Sequence, residues 1–372
     1  RKESSAASDV YKRQLLALTT TLVGCKRDGG APENKRQTSQ TEAKDLLIEE
    51  IFYFGNFHIG RTPYEVQTNK PAGWKEGGAT HYNKYIKVTN PTSKELSLDG
   101  MGLAISQYNP DDKPEFATSI PKSIYTDSLA VSKLYLFPKG NPKNLLKPGE
   151  SRIIATAALN PVEKERKRAE GDWEESELDF SALLDLTGAD YELNDENDKV
   201  PTLVPFYDFS GFADGDFKGE YFSVFNITPA TGIALVRLGA PSEEILQAIK
   251  KVNPQDKKTD KKGKYTRPIS YSKAHSNYSE IPWAFFIPNE WITDFVVICA
   301  KDTNKWIINA KLDKSFKSIN MKGEEAANNK YDLWGKYAGK SMVRKNDGKK
   351  LVDTNDSNLD FEVKDASLYK KK

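Results

Sequence analysis

The chain has 372 residues, of which 38% are hydrophobic and 11% aromatic, so it can bury a sizeable core in one large or two ordinary domains. Its 55 lysines and arginines nearly balance its 53 aspartates and glutamates. The net charge of +2 provides no general field for attracting nucleic acid or an anionic membrane, and we expect no nucleic-acid partner.

A pattern typical of a lipoprotein signal peptide lies near the start of the chain. Lys12 and Arg13 precede a short apolar run, residues 15–24, which ends at Gly24-Cys25. The run is shorter than the ~18 residues that a spanning helix needs. We expect lipidation of Cys25, which would hold everything after it at a membrane outside the cytoplasm. A buried strand or helix is the alternative interpretation of the same run.

Two further segments precede the predicted folded body. Residues 1–11 begin without Met and resemble neither a signal-peptide start nor a folded element, which indicates a fragment edge or an assembly artefact. Residues 26–44 are polar, contain Gly29, Gly30 and Pro32, and show no periodicity. This composition predicts a flexible tether between the anchor and the body.

The first part of the body, residues 45–160, contains a series of predicted strands. Residues 46–55 form the first of them, and Asn90-Pro91 separates residues 82–88 from residues 96–106, which predicts a hairpin. Further strands are expected at residues 133–138 and 151–157, each next to a proline-containing turn.

The second part begins with a charged insertion, residues 161–200, whose first half predicts a solvated helix or loop. In residues 201–372 we expect strands at 206–209, 221–227 and 232–238, and the apolar segment 281–298 should cross the core. Residues 241–251 have acids at the start, lysines at the end and one apolar face, which predicts a helix with Ser242 as its N-cap.

Short apolar runs between Gly, Pro and Asn clusters predict a mainly-β fold, with immunoglobulin-like β-sandwiches and a few short helices. No fixed-period repeat is visible, which argues against a propeller or solenoid. Cys299 lies in an apolar run and is expected to be a small buried residue rather than a reactive thiol.

The motifs of common catalytic sites are absent from the sequence, so we predict no catalytic residues and no cofactor. Asp214, Asp216 and Glu220 begin like a calcium loop, but Lys218 and Phe225 occupy positions where oxygen ligands belong. A β-turn with outward-facing acids is the stronger interpretation of this segment, and no metal is expected. A glycosidase would need a pair of carboxylates, and the sequence does not single one out.

Aromatic side chains in loops are candidates for contact with a ligand, because a ring offers a large contact area at low entropic cost. Trp74 lies in a glycine-rich stretch and Trp173 in the charged insertion, so these two are the best candidates for contact with a ligand. For Trp74, packing inside the protein is the stronger interpretation.

Five motifs together resemble the DUF4876 family, lipoproteins of Bacteroidota whose function is unknown. They occur in the family's order at residues 184–192 (LDLTGADYE), 232–237 (GIALVR), 287–294 (IPNEWITD), 341–345 (SMVRK) and 353–361 (DTNDSNLDF). The resemblance runs from about residue 46 to residue 361. Residues 46–160 also resemble, more loosely, a lamin-tail domain, which has an immunoglobulin-like fold.

The family resemblance implies an envelope lipoprotein, often found beside TonB-dependent outer-membrane receptors. It supplies no catalytic residues. We therefore expect a lipid-anchored binding accessory of such an uptake system at the outer membrane. The basic pair Lys26-Arg27 directly after Cys25 leaves both the periplasmic and the cell-surface face open. Two alternatives are a glycan or peptide hydrolase and a structural or adhesive surface protein.

Overall fold

The chain is built mainly of β-strands, which confirms the predicted fold class. A computed structural model describes residues 43–53, 55, 58–59, 75–76, 82–110, 122–169, 178–180, 183–208, 225, 227, 230–250, 265–268, 283–299, 306–319, 339–348 and 350–368. All of these residues belong to one unit, Ser39–Lys372.

The strands in the described residues are β1 (Leu47–Phe52), β2 (His58–Ile59), β3 (Lys75–Glu76), β4 (Tyr85–Thr89), β5 (Leu96–Ser97), β6 (Met101–Ser106), β7 (Ser128–Leu136), β8 (Leu145–Leu146), β9 (Ser151–Ala155), β10 (Leu178–Asp179), β11 (Tyr191–Glu192), β12 (Val204–Asp208), β13 (Thr231–Arg237), β14 (Thr266–Pro268), β15 (Trp283–Pro288), β16 (Ile292–Cys299), β17 (Lys317–Ser318), β18 (Lys340–Arg344) and β19 (Phe361–Asp365). The helices are α1 (Lys122–Asp127), α2 (Val162–Ala169), α3 (Ser242–Lys250) and α4 (Ser357–Asp360), with 3₁₀ turns at Pro142–Asn144 and Asn289–Trp291.

Two large sheets organise these strands. The six-stranded sheet has the order β11-β9-β4-β1-β18-β19. The eight-stranded sheet has the order β14-β15-β7-β6-β13-β16-β17, and β12 pairs with β7 beside this path. The pairs within them are antiparallel except β11 with β9 and β16 with β17. Smaller sheets join β10, β2 and β3, and β5 with β8.

The two large sheets face each other across a central core, as expected for a β-sandwich. Alternation along the strands decides which side chains enter it, because successive residues of a strand point to opposite faces. Ile86 and Val88 of the six-stranded sheet and Ile233 and Leu235 of the eight-stranded sheet all belong to this core. Ala234 joins a second cluster on the outer face of the eight-stranded sheet. Both faces of the eight-stranded sheet are therefore packed.

A β-bulge in β1 explains why two acids stand next to each other in an otherwise apolar strand. The pairing with β4 shifts between Ile48 and Glu50, so that Glu49 is an extra residue. Ile48 and Ile51 on either side of the bulge both lie in the central core. The two intervening residues, Glu49 and Glu50, therefore both project from the outer face of the six-stranded sheet.

The predicted hairpin between residues 82–88 and 96–106 is wrong in its pairing. β4 pairs with β1 and β9, whereas β6 pairs with β7 and β13 in the other sheet. The turn at Asn90 carries the chain across the sandwich instead. The Asn90 side-chain amide donates hydrogen bonds to the carbonyl oxygens of Lys94 at 2.7 Å and Leu146 at 2.9 Å, which fixes this crossing.

The helix α3 confirms the predicted helix, although its N-cap differs. The Ile245 N–H donates to the Pro241 carbonyl at 3.2 Å, which makes Pro241 the N-cap, while the Ser242 hydroxyl bonds the Glu243 carboxylate at 3.3 Å. Ile245 and Ile249 pack into the outer cluster of the eight-stranded sheet. In the part of the chain that the structure describes, no helix is long and apolar enough to cross a membrane.

Candidate functional site

The residues singled out from the sequence lie outside the part of the chain that the structure describes. This holds for the lipidation candidate, the two aromatic contact candidates and the weak metal candidates, namely Cys25, Trp74, Trp173, Asp214, Asp216 and Glu220. Within the described residues, no three His, Cys, Asp or Glu side chains are grouped to hold a metal ion. Cys299 is fully buried, as predicted.

A buried ion pair joins the two sheets of the sandwich. The Arg344 guanidinium on β18 lies 2.5 Å from the Asp294 carboxylate on β16, and both side chains are at most 5% exposed. The same Asp294 carboxylate accepts a hydrogen bond from the Ile48 N–H at 2.7 Å, and Arg344 Nε donates to the Ile48 carbonyl at 2.8 Å. Burial raises the pKa of Asp294 to about 6, although Arg344 opposes this shift.

The other side of the Arg344 guanidinium faces the segment that leads into β19. It donates to the Val352 carbonyl at 3.0 Å and lies 3.5 Å from Asp353 and 3.7 Å from Asp360. The Phe361 ring centre lies 4.5 Å from the guanidinium carbon, within the range of a cation–π contact. One arginine thus bonds strands of both sheets and the C-terminal segment.

A second buried carboxylate, Asp313, fastens the start of α4. It accepts hydrogen bonds from the Ser357 N–H at 2.9 Å, the Ser315 N–H at 3.1 Å and the Ser357 hydroxyl. The Ser357 hydroxyl in turn accepts from the Val297 N–H of β16 at 3.1 Å. Burial raises the pKa of Asp313 to about 7.

Three of the five motifs that carry the family resemblance meet in this buried network. Asp294 ends the motif at 287–294, Arg344 belongs to 341–345, and Ser357 and Asp360 belong to 353–361. Each of these side chains is at most 6% exposed, so a ligand in solvent does not reach them. Polar residues within apolar strands were the sequence feature that could have identified this network. We interpret it as a structural framework rather than a binding site.

The best candidate site is a partly exposed group on the outer face of the six-stranded sheet, formed by Glu49, Lys87, Ser151 and the buried Thr89. We refer to these four residues as the outer patch. Glu49 lies 2.8 Å from the Lys87 ammonium and 3.3 Å from the Ser151 hydroxyl, and it also accepts from the Thr89 hydroxyl. The Thr89 and Ser151 hydroxyls are 2.8 Å apart.

Three adjacent strands, β1, β4 and β9, position the outer patch. The bulge in β1 turns Glu49 onto this face, while Thr89 and Ser151 are directly opposite each other in the β4–β9 ladder. The Glu49 and Lys87 side chains are 21% and 22% exposed, so solvent reaches both charges. Strand backbones hold all four groups, which suits a preformed site.

The neighbouring acid, Glu50, is closed off from solvent. Its carboxylate accepts from the Tyr85 hydroxyl at 2.7 Å, from the Ser367 N–H at 2.9 Å and from the Ser367 hydroxyl. Burial and the nearby Glu50 charge raise the pKa of Tyr85 far above its ordinary range. Glu50 therefore secures the C-terminal segment, and Glu49 is the acid of the pair that solvent reaches.

The outer patch combines a carboxylate acceptor, an ammonium donor and two hydroxyls that both donate and accept. This set suits recognition of a polar, uncharged surface, such as sugar hydroxyls or a peptide backbone. The Glu49 charge is already matched by Lys87, which disfavours a strongly ionic ligand.

A mainly-β sandwich with a polar outer patch is the class of protein that this architecture defines. A model of the family described as "Protein of unknown function (DUF4876)" matches residues 147–367. The chain belongs to the DUF4876 family. The resemblance to this family is thereby confirmed over residues 147–367.

A solved structure supports the fold. The crystal structure of a DUF4876 family protein from Bacteroides thetaiotaomicron VPI-5482 at 2.50 Å resolution is similar with a TM-score of 0.52 and 16% sequence identity, covering 87% of this chain and 71% of that chain. The comparison with curated proteins yields no match. The likeness of residues 46–160 to a lamin-tail domain stays a prediction.

Proposed function

We propose that this protein is a lipid-anchored binding protein of the cell envelope, attached to the outer membrane through Cys25. The outer patch is the observation that carries the binding function, because it brings together donors and acceptors from three adjacent strands and solvent reaches both of its charges. The proposed anchor is supported by the signal-peptide pattern that ends at Cys25 and by the polar segment that follows it.

The partner that we propose is a TonB-dependent receptor of the outer membrane or a polar nutrient that such a receptor imports. This proposal rests on the lipoprotein pattern and on the chemistry of the outer patch. Attachment from either the periplasmic or the cell-surface face is compatible with it. Neither a metal nor a cofactor is part of the proposed activity.

Co-purification tests this function. The tagged full-length protein would be recovered from detergent-solubilised outer membranes, and we expect a receptor or glycan to be enriched with it. Lys87→Met should reduce that enrichment at least several-fold, because it leaves the Glu49 charge unmatched in the outer patch. Recovery of the protein alone, or equal enrichment with Lys87→Met, would contradict the proposal.

A matched control is available in Lys311, which forms an exposed ion pair with Asp127 at 2.6 Å. Lys311→Met makes the same chemical change on another part of the surface. We expect it to leave the enrichment unchanged, which separates loss of the outer patch from a general loss of positive charge.

A hydrolase is the second candidate, and the Glu49 carboxylate, which solvent reaches, is the observation that favours testing it. Turnover on a panel of glycans and peptides, abolished by Glu49→Gln, would establish a hydrolase and replace the binding proposal. A structural or adhesive role would instead appear as association with polymer or extracellular matrix.

A further inference from the structure

The strand β19 forms one edge of the six-stranded sheet. It pairs with β18 on one side, and no strand of the described residues pairs with its other side. The Lys345 N–H donates to the Asp360 carbonyl at 2.7 Å, and the Ala366 N–H donates to the Gly339 carbonyl at 3.1 Å. Backbone groups in an antiparallel ladder alternate in direction. The N–H and C=O groups of the even-numbered residues of β19 therefore point toward β18, and those of Val363 point away from it, toward the open edge.

The charges on β19 are arranged symmetrically about Val363. Glu362 precedes it and Lys364 follows it, and their side chains are 40% and 53% exposed. Within the single chain these two groups lie 2.5 Å apart, which places them on the same face of the strand. A strand with this sequence is complementary to itself when the second copy runs in the opposite direction.

We propose that β19 is a self-association edge, through which two copies of this chain pair antiparallel about Val363. In this arrangement the Val363 residues of both copies exchange backbone hydrogen bonds. Glu362 of each copy stands opposite Lys364 of the other, and the two six-stranded sheets become one continuous sheet.

The charges specify both the direction and the register of this pairing. A parallel, in-register pair would place Glu362 opposite Glu362 and Lys364 opposite Lys364, and like charges directly opposite each other are destabilising. A slip by one residue would turn the charged face of one strand toward the core face of the other. Charged residues usually protect edge strands from association, but here the opposite signs permit one symmetric pairing.

Exposed leucines at both ends of β19 support the same arrangement. Among the described residues, five large hydrophobic side chains are exposed, and two of them, Leu359 at 46% and Leu368 at 38%, flank this strand. Antiparallel pairing brings Leu359 of one copy to the same end of the interface as Leu368 of the other. The pairing would thus cover apolar surface that a single copy leaves in solvent.

An interface of one strand and its flanking side chains is smaller than the ~1,200 Å² of a standard stable complex. We therefore expect a weak dimer, observed at protein concentrations of roughly 0.1–1 mM. This inference does not depend on the outer patch or on the lipid anchor, since β19 lies at the sheet edge and the test uses soluble protein that begins after Cys25.

Two charge-reversal variants and their mixture provide the decisive experiment. Glu362→Lys gives a strand with two lysines, and Lys364→Glu gives a strand with two glutamates, so that each variant repels its own copy. Sedimentation velocity should show dimer for the wild type, at least tenfold weaker self-association for each variant alone, and a heterodimer when the two are mixed.

Further variants keep the experiment falsifiable. The double variant Glu362→Lys/Lys364→Glu restores complementarity and should dimerise like the wild type. Asp127→Lys, a charge reversal at an exposed pair elsewhere, should have no effect. Thermal unfolding of each protein confirms that it is folded. A monomeric wild type at about 1 mM, or a mixture that stays monomeric, would overturn the proposal.

Discussion

At the level of single residues, the buried carboxylates couple the stability of the sandwich to pH. Asp313 is fully buried, and burial raises its pKa from the ordinary 3.8 to about 7. The folded state therefore keeps this proton up to about pH 7, whereas the unfolded chain loses it near 3.8. Between these two values the folded state binds more protons than the unfolded state, so the Asp313 contribution to stability increases as the pH falls.

We predict that Asp313→Asn weakens this pH dependence. The wild-type free energy of unfolding should gain on the order of 2 kcal/mol from Asp313 between pH 8 and pH 5, and Asn, which does not titrate, should lack this gain. Urea unfolding of both proteins at the two pH values, at constant ionic strength, measures the difference. The same gain in wild type and variant would show that Asp313 is not the group responsible.

Arg344→Met should be among the most destabilising substitutions of a side chain. It leaves the buried Asp294 carboxylate without its cation and the Ile48 and Val352 carbonyls without a donor, which should cost about 3–5 kcal/mol near pH 8. At pH 5 the cost should be smaller, because the pKa of Asp294 is about 6 and the carboxyl can take up a proton.

A double variant isolates the Arg344–Asp294 pair. Arg344→Met/Asp294→Asn removes the uncompensated charge and should be more stable than Arg344→Met alone, as measured by chemical unfolding. A double variant that is as unstable as the sum of the two single variants would show that the ion pair itself contributes nothing.

The buried network was not predictable from the sequence, although its residues could each be recognised there as unusual. Asp294 lies within an apolar strand and Arg344 within another, so each could be recognised as a polar residue in an apolar context. The two residues are 50 positions apart in the chain, and no local sequence pattern specifies that they pair with each other. The position of Glu49 on the same face as Glu50 likewise required the bulge, which strand alternation alone does not reveal.

At the level of elements, neighbouring strands approach each other so closely at certain positions that only glycine fits there. A Cβ on Gly102 of β6 would lie 2.5 Å from the Tyr135 carbonyl oxygen of β7 and 2.8 Å from the Leu136 side chain. Since the first of these atoms belongs to the backbone of the paired strand, it cannot move without disturbing the ladder.

Gly102→Ala should therefore destabilise the protein by about 1–3 kcal/mol through overpacking. Gly188→Ala is a suitable control, because nothing lies within 4 Å of a Cβ at that position. Denaturant midpoints of the two variants provide the comparison. Equal stability of both variants would show that β6 and β7 can move apart to accommodate the added methyl group.

Sequence patterns predicted the strands and the helix better than their pairing. Alternation, β-branched residues and turn-forming residues indicated β1, β9, β13 and α3, because these properties are local. The pairing of β4 with β1 rather than with β6 depends on which faces bury the most apolar area across the whole sandwich. A turn at Asn90 is compatible with a hairpin and with a crossing between sheets, and the sequence contains nothing that separates the two.

At the level of the whole molecule, the sequence predicted a mainly-β sandwich, but its candidate contact residues, Trp74 and Trp173, are not members of the outer patch. The outer patch draws on residues from positions 49, 87, 89 and 151, which become neighbours only through the sheet order. The proposed lipid anchor, by contrast, rests on a local sequence pattern that ends at Cys25, so it can be tested with a single substitution.

Cys25→Ala should abolish incorporation of labelled fatty acid and release the protein from the membrane fraction. Acyl chains contribute about 0.8 kcal/mol per buried CH₂, so two or three chains hold a protein at a bilayer essentially permanently. Metabolic labelling followed by fractionation measures both effects. Fatty-acid incorporation into the Cys25→Ala variant would show that the lipid is attached elsewhere.

The ion pair at the entrance to β1 has a mechanical consequence. The Asp45 carboxylate is held by the Arg237 guanidinium of β13 through hydrogen bonds of 2.7 and 2.8 Å, and β1 itself lies between β4 and β18. If Cys25 anchors the protein as proposed, a pull on the anchor would enter the described body near Asp45 and run along an interior strand, so it would load two ladders of hydrogen bonds in shear at the same time. Attachment at this strand would let the body resist flow or traction that would peel away an edge strand one bond after another.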